Sequence, residues 1–246
     1  MKISKLYLLT LLSVLSLGCR GETTPDDVDT TDTATAPELT TGSSGVDDGR
    51  PVLLFLGNSL SAGAGIDASD AFPDLIRRRI DSLGWNYQVV NAGLSGETTS
   101  GGLRRIDWLL RQPVDVLVLE LGGNDGLRGI PVEVAEDNLR SIIRKTRETY
   151  PDVEIVLAGM QIPPNLGHDY TQRFREIYPR LAETEETHLI PFLLEGVGGV
   201  DSLMQGDGIH PTEAGHRIVA ENVWETLRPV LEVERIEDAR ATSPPR

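Results

Sequence analysis

Four short blocks, far apart in the chain, carry residue types that together suit acyl transfer. They are Gly57-Asn58-Ser59-Leu60-Ser61, Asn91-Ala92-Gly93, Gly122-Gly123-Asn124-Asp125 and Asp207-Gly208-Ile209-His210. A serine hydroxyl is a poor nucleophile unless a turn exposes it and a base takes its proton. Ser59 has the first requirement, since Gly57 permits a tight turn before it. His210 meets the second, acting as base toward Ser59 and then as acid toward the leaving group. Asp207, across Gly208, can accept from the other ring nitrogen and fix the tautomer. The tetrahedral intermediate needs donors for its oxyanion. The N–H of Ser59, the N–H of Gly93 and the side-chain amide of Asn124 are the candidates. Any one block alone is weak evidence and reads first as a turn, a cap or a loop. Four in this order point to one site.

Other titratable groups carry less. Asp125 reads as a helix or turn cap. His188 and His216 read as structural. His168 falls in the loop from Pro163 to Asp169, which can line a pocket together with Ile162, Leu166 and the Pro163-Pro164 pair. No pair of histidines, cysteine cluster or carboxylate run has metal-ligand spacing, and no glycine loop has the phosphate-binding pattern. Neither a metal nor a cofactor is expected.

These blocks must be held by regular elements. Pro51 to Leu56 and Val114 to Leu121 are continuous apolar runs, as strands buried on both faces should be. Tyr87 to Val90, Val153 to Ala158 and His188 to Pro191 read as three more strands. Helical spacing marks Ala71 to Leu83, Thr98 to Leu110, Val132 to Tyr150, Thr171 to Glu186 and Thr212 to Leu227. Strands alternating with helices predict an α/β fold: a three-layer α/β/α sandwich on a parallel five-stranded sheet. Each block falls at the carboxyl end of a strand or just before a helix, where open α/β sheets place their sites.

The chain of 246 residues has room for one sizeable core. Its formal charge of −15 leaves no basic stripe to neutralise phosphates, so a nucleic-acid partner is not expected. Only Lys2, Lys5 and Lys145 are lysines, and the rest of the 23 basic residues are arginines. That bias suits either a salt-adapted organism or a GC-rich genome. The single cysteine, Cys19, excludes an intrachain disulfide.

Lys2 and Lys5 precede the apolar run Leu6 to Leu17, too short to span a bilayer and typical of a secretory signal. The run ends in Leu15-Ser16-Leu17-Gly18-Cys19, which resembles a bacterial lipobox, with Ser16 where Leu is usual. The resemblance implies cleavage after residue 18, lipidation of Cys19 and an exported, membrane-anchored lipoprotein. Arg20, in place of an Asp, would permit transport to an outer membrane, leaving the enzyme there or facing the periplasm. Residues 19–50 are rich in Thr, Asp, Gly and Ser, and read as a disordered acidic tether. The domain is expected over 51–233, with 234–246 as a frayed tail.

Taken together, the four blocks resemble the SGNH, or GDSL-type, hydrolase superfamily. The wording of Gly57 to Gly63, Val89 to Thr98, Leu119 to Gly129 and Gly206 to Pro211 is closest to its thioesterase I / lysophospholipase L1 / arylesterase branch. The resemblance implies a flavodoxin-like sheet of order 2-1-3-4-5 and no cofactor. It also implies Ser59 as nucleophile, Gly93 and Asn124 completing the oxyanion hole, and His210 with Asp207 completing the triad. One departure is Asn58, where the family usually has Asp. The amide keeps an acceptor and gains a donor but loses a charge, so activity should survive with a shifted pH profile. The expected activity is hydrolysis of small-molecule or lipid acyl esters, with thioesters and lysophospholipids as candidates. A carbohydrate deacetylase and a non-catalytic surface-binding lipoprotein are the competing readings. Oligomeric state is not legible.

Overall fold

The computed structural model describes residues 49–241, with the backbone alone for 234–241. The signal, Cys19 and tether assignments, and the end of the tail at 242–246, lie outside the described residues.

Apolar runs set the sheet. β1 (Val52–Gly57), β2 (Gln88–Asn91), β3 (Val116–Glu120), β4 (Glu154–Ala158) and β5 (His188–Ile190) form one parallel sheet of order β2-β1-β3-β4-β5. β1 and β3 are buried along their whole length, which is why their sequences do not alternate. They pair from Leu53↔Val116 to Gly57↔Glu120, so the last residues of the two central strands end side by side. The strand order reverses around β1. That is the switch point where a crevice opens at the carboxyl edge.

The five longer helices follow the expected spacing. α1 (Ser59–Ala62) is one turn long, followed by α2 (Phe72–Ser82), α3 (Thr99–Leu109), α4 (Gly123–Leu127), α5 (Val132–Thr149), α6 (His168–Thr184) and α7 (Glu213–Ala241). α5 buries Val132, Ala135, Leu139, Ile142 and Ile143, the stripe a 3.6-residue period requires. Trp85, just after α2, stacks on Trp224 of α7 with ring centroids 5.5 Å apart, and Arg79 of α2 lies over Trp224.

One boundary and two short helices depart from expectation. α7 continues past Val233 to Ala241, through residues Glu234 to Ala241, where the sequence suggests a frayed tail. That stretch, Glu-Arg-Ile-Glu-Asp-Ala-Arg-Ala, is composed mainly of good helix formers and prolongs a helix already anchored by packing. α1 and α4 are not foreshadowed either, because four or five residues are too few to show a period.

Candidate active site

β1 delivers Gly57 and Asn58 to the crevice. Asn58 caps α1, its Oδ1 accepting from Leu60 N at 2.9 Å. Ser59 is therefore the first helical residue, nearly buried, and its N–H is not consumed by the turn of the helix. The helix is a single turn, so the local N–H matters here and a macrodipole contributes little.

The loop before α7 brings the base. His210 Nε2 lies 2.9 Å from Ser59 Oγ, and Nδ1 lies 2.6 Å from Asp207 Oδ2. Asp207 Oδ1 accepts from Ile209 N and His210 N, and Gly208 supplies the left-handed φ of 67° that the turn needs. The hydrogen bond from the His210 ring, backed by those two N–H groups, holds the Asp207 carboxyl at about 2. With Asp207 ionised, Nδ1 carries the proton and Nε2 presents its lone pair to the Ser59 hydroxyl. Ser61, the other serine of the block, is fully buried and donates to Glu120 instead.

Gly93 and Asn124 arrive on the neighbouring loops. Gly93 is a glycine because a Cβ there would collide with the backbone of Ala62 and Ser61 in α1. Its N–H donates to Asn91 Oδ1 at 3.0 Å, so Asn91 occupies this donor. The Asn91 amide is held in turn by Ser61 O. Asn124 opens α4 next to Gly123, where an added Cβ would lie 3.8 Å from Asn58 Nδ2. One hydrogen of the Asn124 amide goes to Glu97 O at 2.9 Å, which leaves the second for another acceptor. Gly122, at φ 107°, lets the chain pass Tyr178, whose hydroxyl donates to Leu121 O.

Asp125 is a cap, as its position suggests. It accepts from Thr99 N and Thr99 Oγ1 and so holds the start of α3 against α4. His216 is structural too. It is buried, stacks on Phe72, and its Nδ1 accepts from Phe72 N at the uncapped start of α2. Burial drives its pKa down to about 4, so it stays neutral. His188 is exposed beside Glu154. Ile162 is packed in the core beneath α4, where a Cβ on Gly126 would come 2.5 Å from it, while Leu166 is exposed.

Three supports escaped the sequence reading. Gln205 ties the His210 loop to the nucleophile turn, its amide donating to Ala64 O and Pro211 O at 2.7 and 2.9 Å. Arg105 pairs with Glu97 and donates to Ala92 O, which braces the Gly93 loop. Glu120 lies under Ser59 and is fully buried. Only Glu120 left a signal, as a lone acid in the apolar strand Val-Leu-Val-Leu-Glu.

A serine and a histidine–aspartate pair at the switch point of a parallel sheet define a serine hydrolase of α/β/α architecture. Residues 55–218 match the GDSL-like Lipase/Acylhydrolase family, and the chain belongs to that family. It is an ester hydrolase. It is 46% identical over 180 residues to Esterase TesA of Pseudomonas aeruginosa, covering 73% of this chain and 89% of that one. It is 40% identical over 181 residues to the Thioesterase 1/protease 1/lysophospholipase L1 of Escherichia coli, covering 73% and 84%. The fold matches a crystal structure of the psychrotrophic esterase EstA from Pseudoalteromonas with a TM-score of 0.70 at 31% identity, covering 74% of this chain and 98% of that one.

Proposed function

We propose that the enzyme hydrolyses esters of apolar carboxylic acids through an acyl-enzyme on Ser59. The observation that carries this reading is the continuous relay Ser59–His210–Asp207. His210 Nε2 takes the Ser59 proton as Oγ attacks the carbonyl carbon. The oxyanion is held by the N–H of Ser59, the free hydrogen of the Asn124 amide and the N–H of Gly93, the last once Asn91 releases it. Collapse expels the alcohol or thiol, which His210 protonates. His210 then takes a proton from water, whose oxygen attacks the acyl carbon, and the free acid departs as Ser59 regains its proton.

Exposed apolar side chains flank several of the reacting residues along the chain. Leu94 follows Gly93, Ile209 precedes His210, Leu127 shares α4 with Asn124, and Leu166 sits opposite Gly129. Exposed apolar side chains beside Gly93 and His210 and on the helix of Asn124 favour an alkyl acyl group over an acetyl on a sugar. Hydrolysis of p-nitrophenyl esters from acetyl to palmitoyl tests this. We expect kcat/KM to rise with chain length beyond acetyl. A maximum at acetyl, with sugar acetates as good substrates, would replace the reading by carbohydrate deacetylation. Thioester and lysophospholipid turnover would set the leaving group.

Anchoring through a lipid on Cys19 belongs to the same proposal and rests on Leu15 to Cys19. The full chain should partition into detergent, and Cys19→Ser should move it to the aqueous phase. Equal partitioning would remove the anchor.

A further inference from the structure

Glu120 is the one fully buried carboxylate under the nucleophile turn, and its hydrogen bonds all come from that turn. Its Oε2 accepts from Asn58 N at 3.0 Å, Ser61 N at 3.3 Å and Ser61 Oγ at 2.8 Å. Its Oε1 accepts from Asn58 Nδ2 at 2.6 Å. The strand register that sets Gly57 beside Glu120 makes this reach possible, and a Cβ on Gly57 would lie 2.6 Å from Oε2. All four partners donate. An ionised carboxylate, which only accepts, fits four donors, and a carboxylic acid or an amide does not.

Resting on the ester-hydrolase reading above, we infer that Glu120 is a positioning residue for Ser59, and that Asn58 is the partner that lets it do so as an anion. The turn from Asn58 to Ser61 presents both the Ser59 hydroxyl and the Ser59 N–H, so one carboxylate fixes nucleophile and oxyanion donor together. The Asn58 amide is used at both ends, Nδ2 on Glu120 and Oδ1 on Leu60 N. An aspartate in place of Asn58 would set two carboxylates against each other, and they would have to share a proton to coexist. Asn58 supplies a permanent donor and frees the clamp from that proton. Burial pushes the Glu120 carboxyl up to about 7, against the donors that hold it down. The clamp is therefore strongest above neutrality. The charged and titratable groups around it are Tyr178 of α6, which Asp125 of α4 also faces, the Arg105–Glu97 pair through the Arg105 bond to Gly57 O, and His210 through Ser59.

The donor pattern makes the test selective. In Glu120→Gln the new amide can keep its oxygen toward Ser61 and Asn58 N only by turning its NH₂ against Asn58 Nδ2. The exchange combines Asn58→Asp with Glu120→Gln. There the introduced carboxylate accepts from both Leu60 N and the introduced amide, and every group is satisfied again. We expect Glu120→Gln to lower kcat by about 10- to 100-fold with KM within about twofold, because the bound geometry is displaced and the binding surface is not. The exchange should recover most of that loss. Asn58→Asp alone should work at low pH and fail as the shared proton leaves, its kcat/KM relative to wild type falling about tenfold between about pH 6 and pH 9. Circular dichroism and melting curves establish that each variant is folded. Glu120→Gln at wild-type kcat, or an exchange as slow as the single variant, would overturn the inference. If Glu120→Gln is not recovered folded, the Asn58→Asp profile decides, and a flat ratio across that range overturns it. Failure of the ester-hydrolase reading would appear differently, as a wild-type enzyme inactive on every ester.

Discussion

Replacing Ser59 by alanine should abolish ester hydrolysis, with kcat falling about 10⁵- to 10⁶-fold, and should abolish labelling by a fluorophosphonate probe. The fold should be untouched. Ser59 Oγ meets His210 Nε2 and, at 3.4 Å, Asn58 Oδ1, and neither contact holds the turn. The turn is held by the Asn58 cap and by Glu120, which reach Leu60 N, Ser61 and Asn58 N. Melting of Ser59→Ala should therefore stay within about 1 kcal/mol of wild type. Ser61 is the natural alternative nucleophile, and its burial and bond to Glu120 exclude it from the relay. Ser61→Ala should still label. Persistent labelling of Ser59→Ala would mean that the nucleophile lies elsewhere.

Much of this arrangement is legible in the sequence because the chemistry and the fold leave different marks. The buried strands announce themselves as apolar runs, and the helices α2, α3 and α5 as stripes whose edges fall within two residues of the observed ones. The reacting residues are legible because Gly57, Asp207, Gly208 and His210 constrain both turn geometry and chemistry. The supports are not. Gln205 and Arg105 act by donating to backbone carbonyls of loops remote in sequence, and a Gln or an Arg on a surface loop or helix has no pattern of its own. Glu120 can be found by asking why an acid closes an apolar strand. The state of Gly93 is invisible for a related reason. Its N–H lies where an oxyanion donor is expected, yet Asn91 two residues earlier is its acceptor, and only coordinates show which acceptor a backbone donor faces. Ile162 reads as pocket lining and instead fills the space under α4, because apolar character does not distinguish wall from floor.

The second large effect should come from Asp207→Asn. The two carboxylate oxygens have separate tasks. Oδ1 serves the turn through Ile209 N and His210 N, and Oδ2 takes the ring Nδ1–H. An asparagine can supply only one acceptor. If its oxygen stays in the turn, its NH₂ faces Nδ1, which then must accept, and the proton moves to Nε2. His210 would then meet the Ser59 hydroxyl with a donor and could no longer take its proton. If the amide is reversed, the ring keeps its tautomer and the turn carrying His210 loses its acceptor. Either way kcat falls while substrate contacts remain, so KM should stay within about twofold. Buried carboxylates in such relays are worth about 10⁴ in kcat, but the Asp207 side chain is 44% exposed and water can replace part of its role. A loss of about 10²- to 10³-fold is expected. The wild-type pH profile should show no step from Asp207, because a carboxyl held at about 2 is ionised across the working range. Its contribution is present above the ordinary carboxylate range and is lost only as pH falls toward 2. Measured from about pH 5 to 9, Asp207→Asn should run below wild type by a nearly constant factor wherever His210 is neutral. A kcat within about twofold of wild type would show that His210 holds its tautomer without Asp207, through the backbone of its own loop.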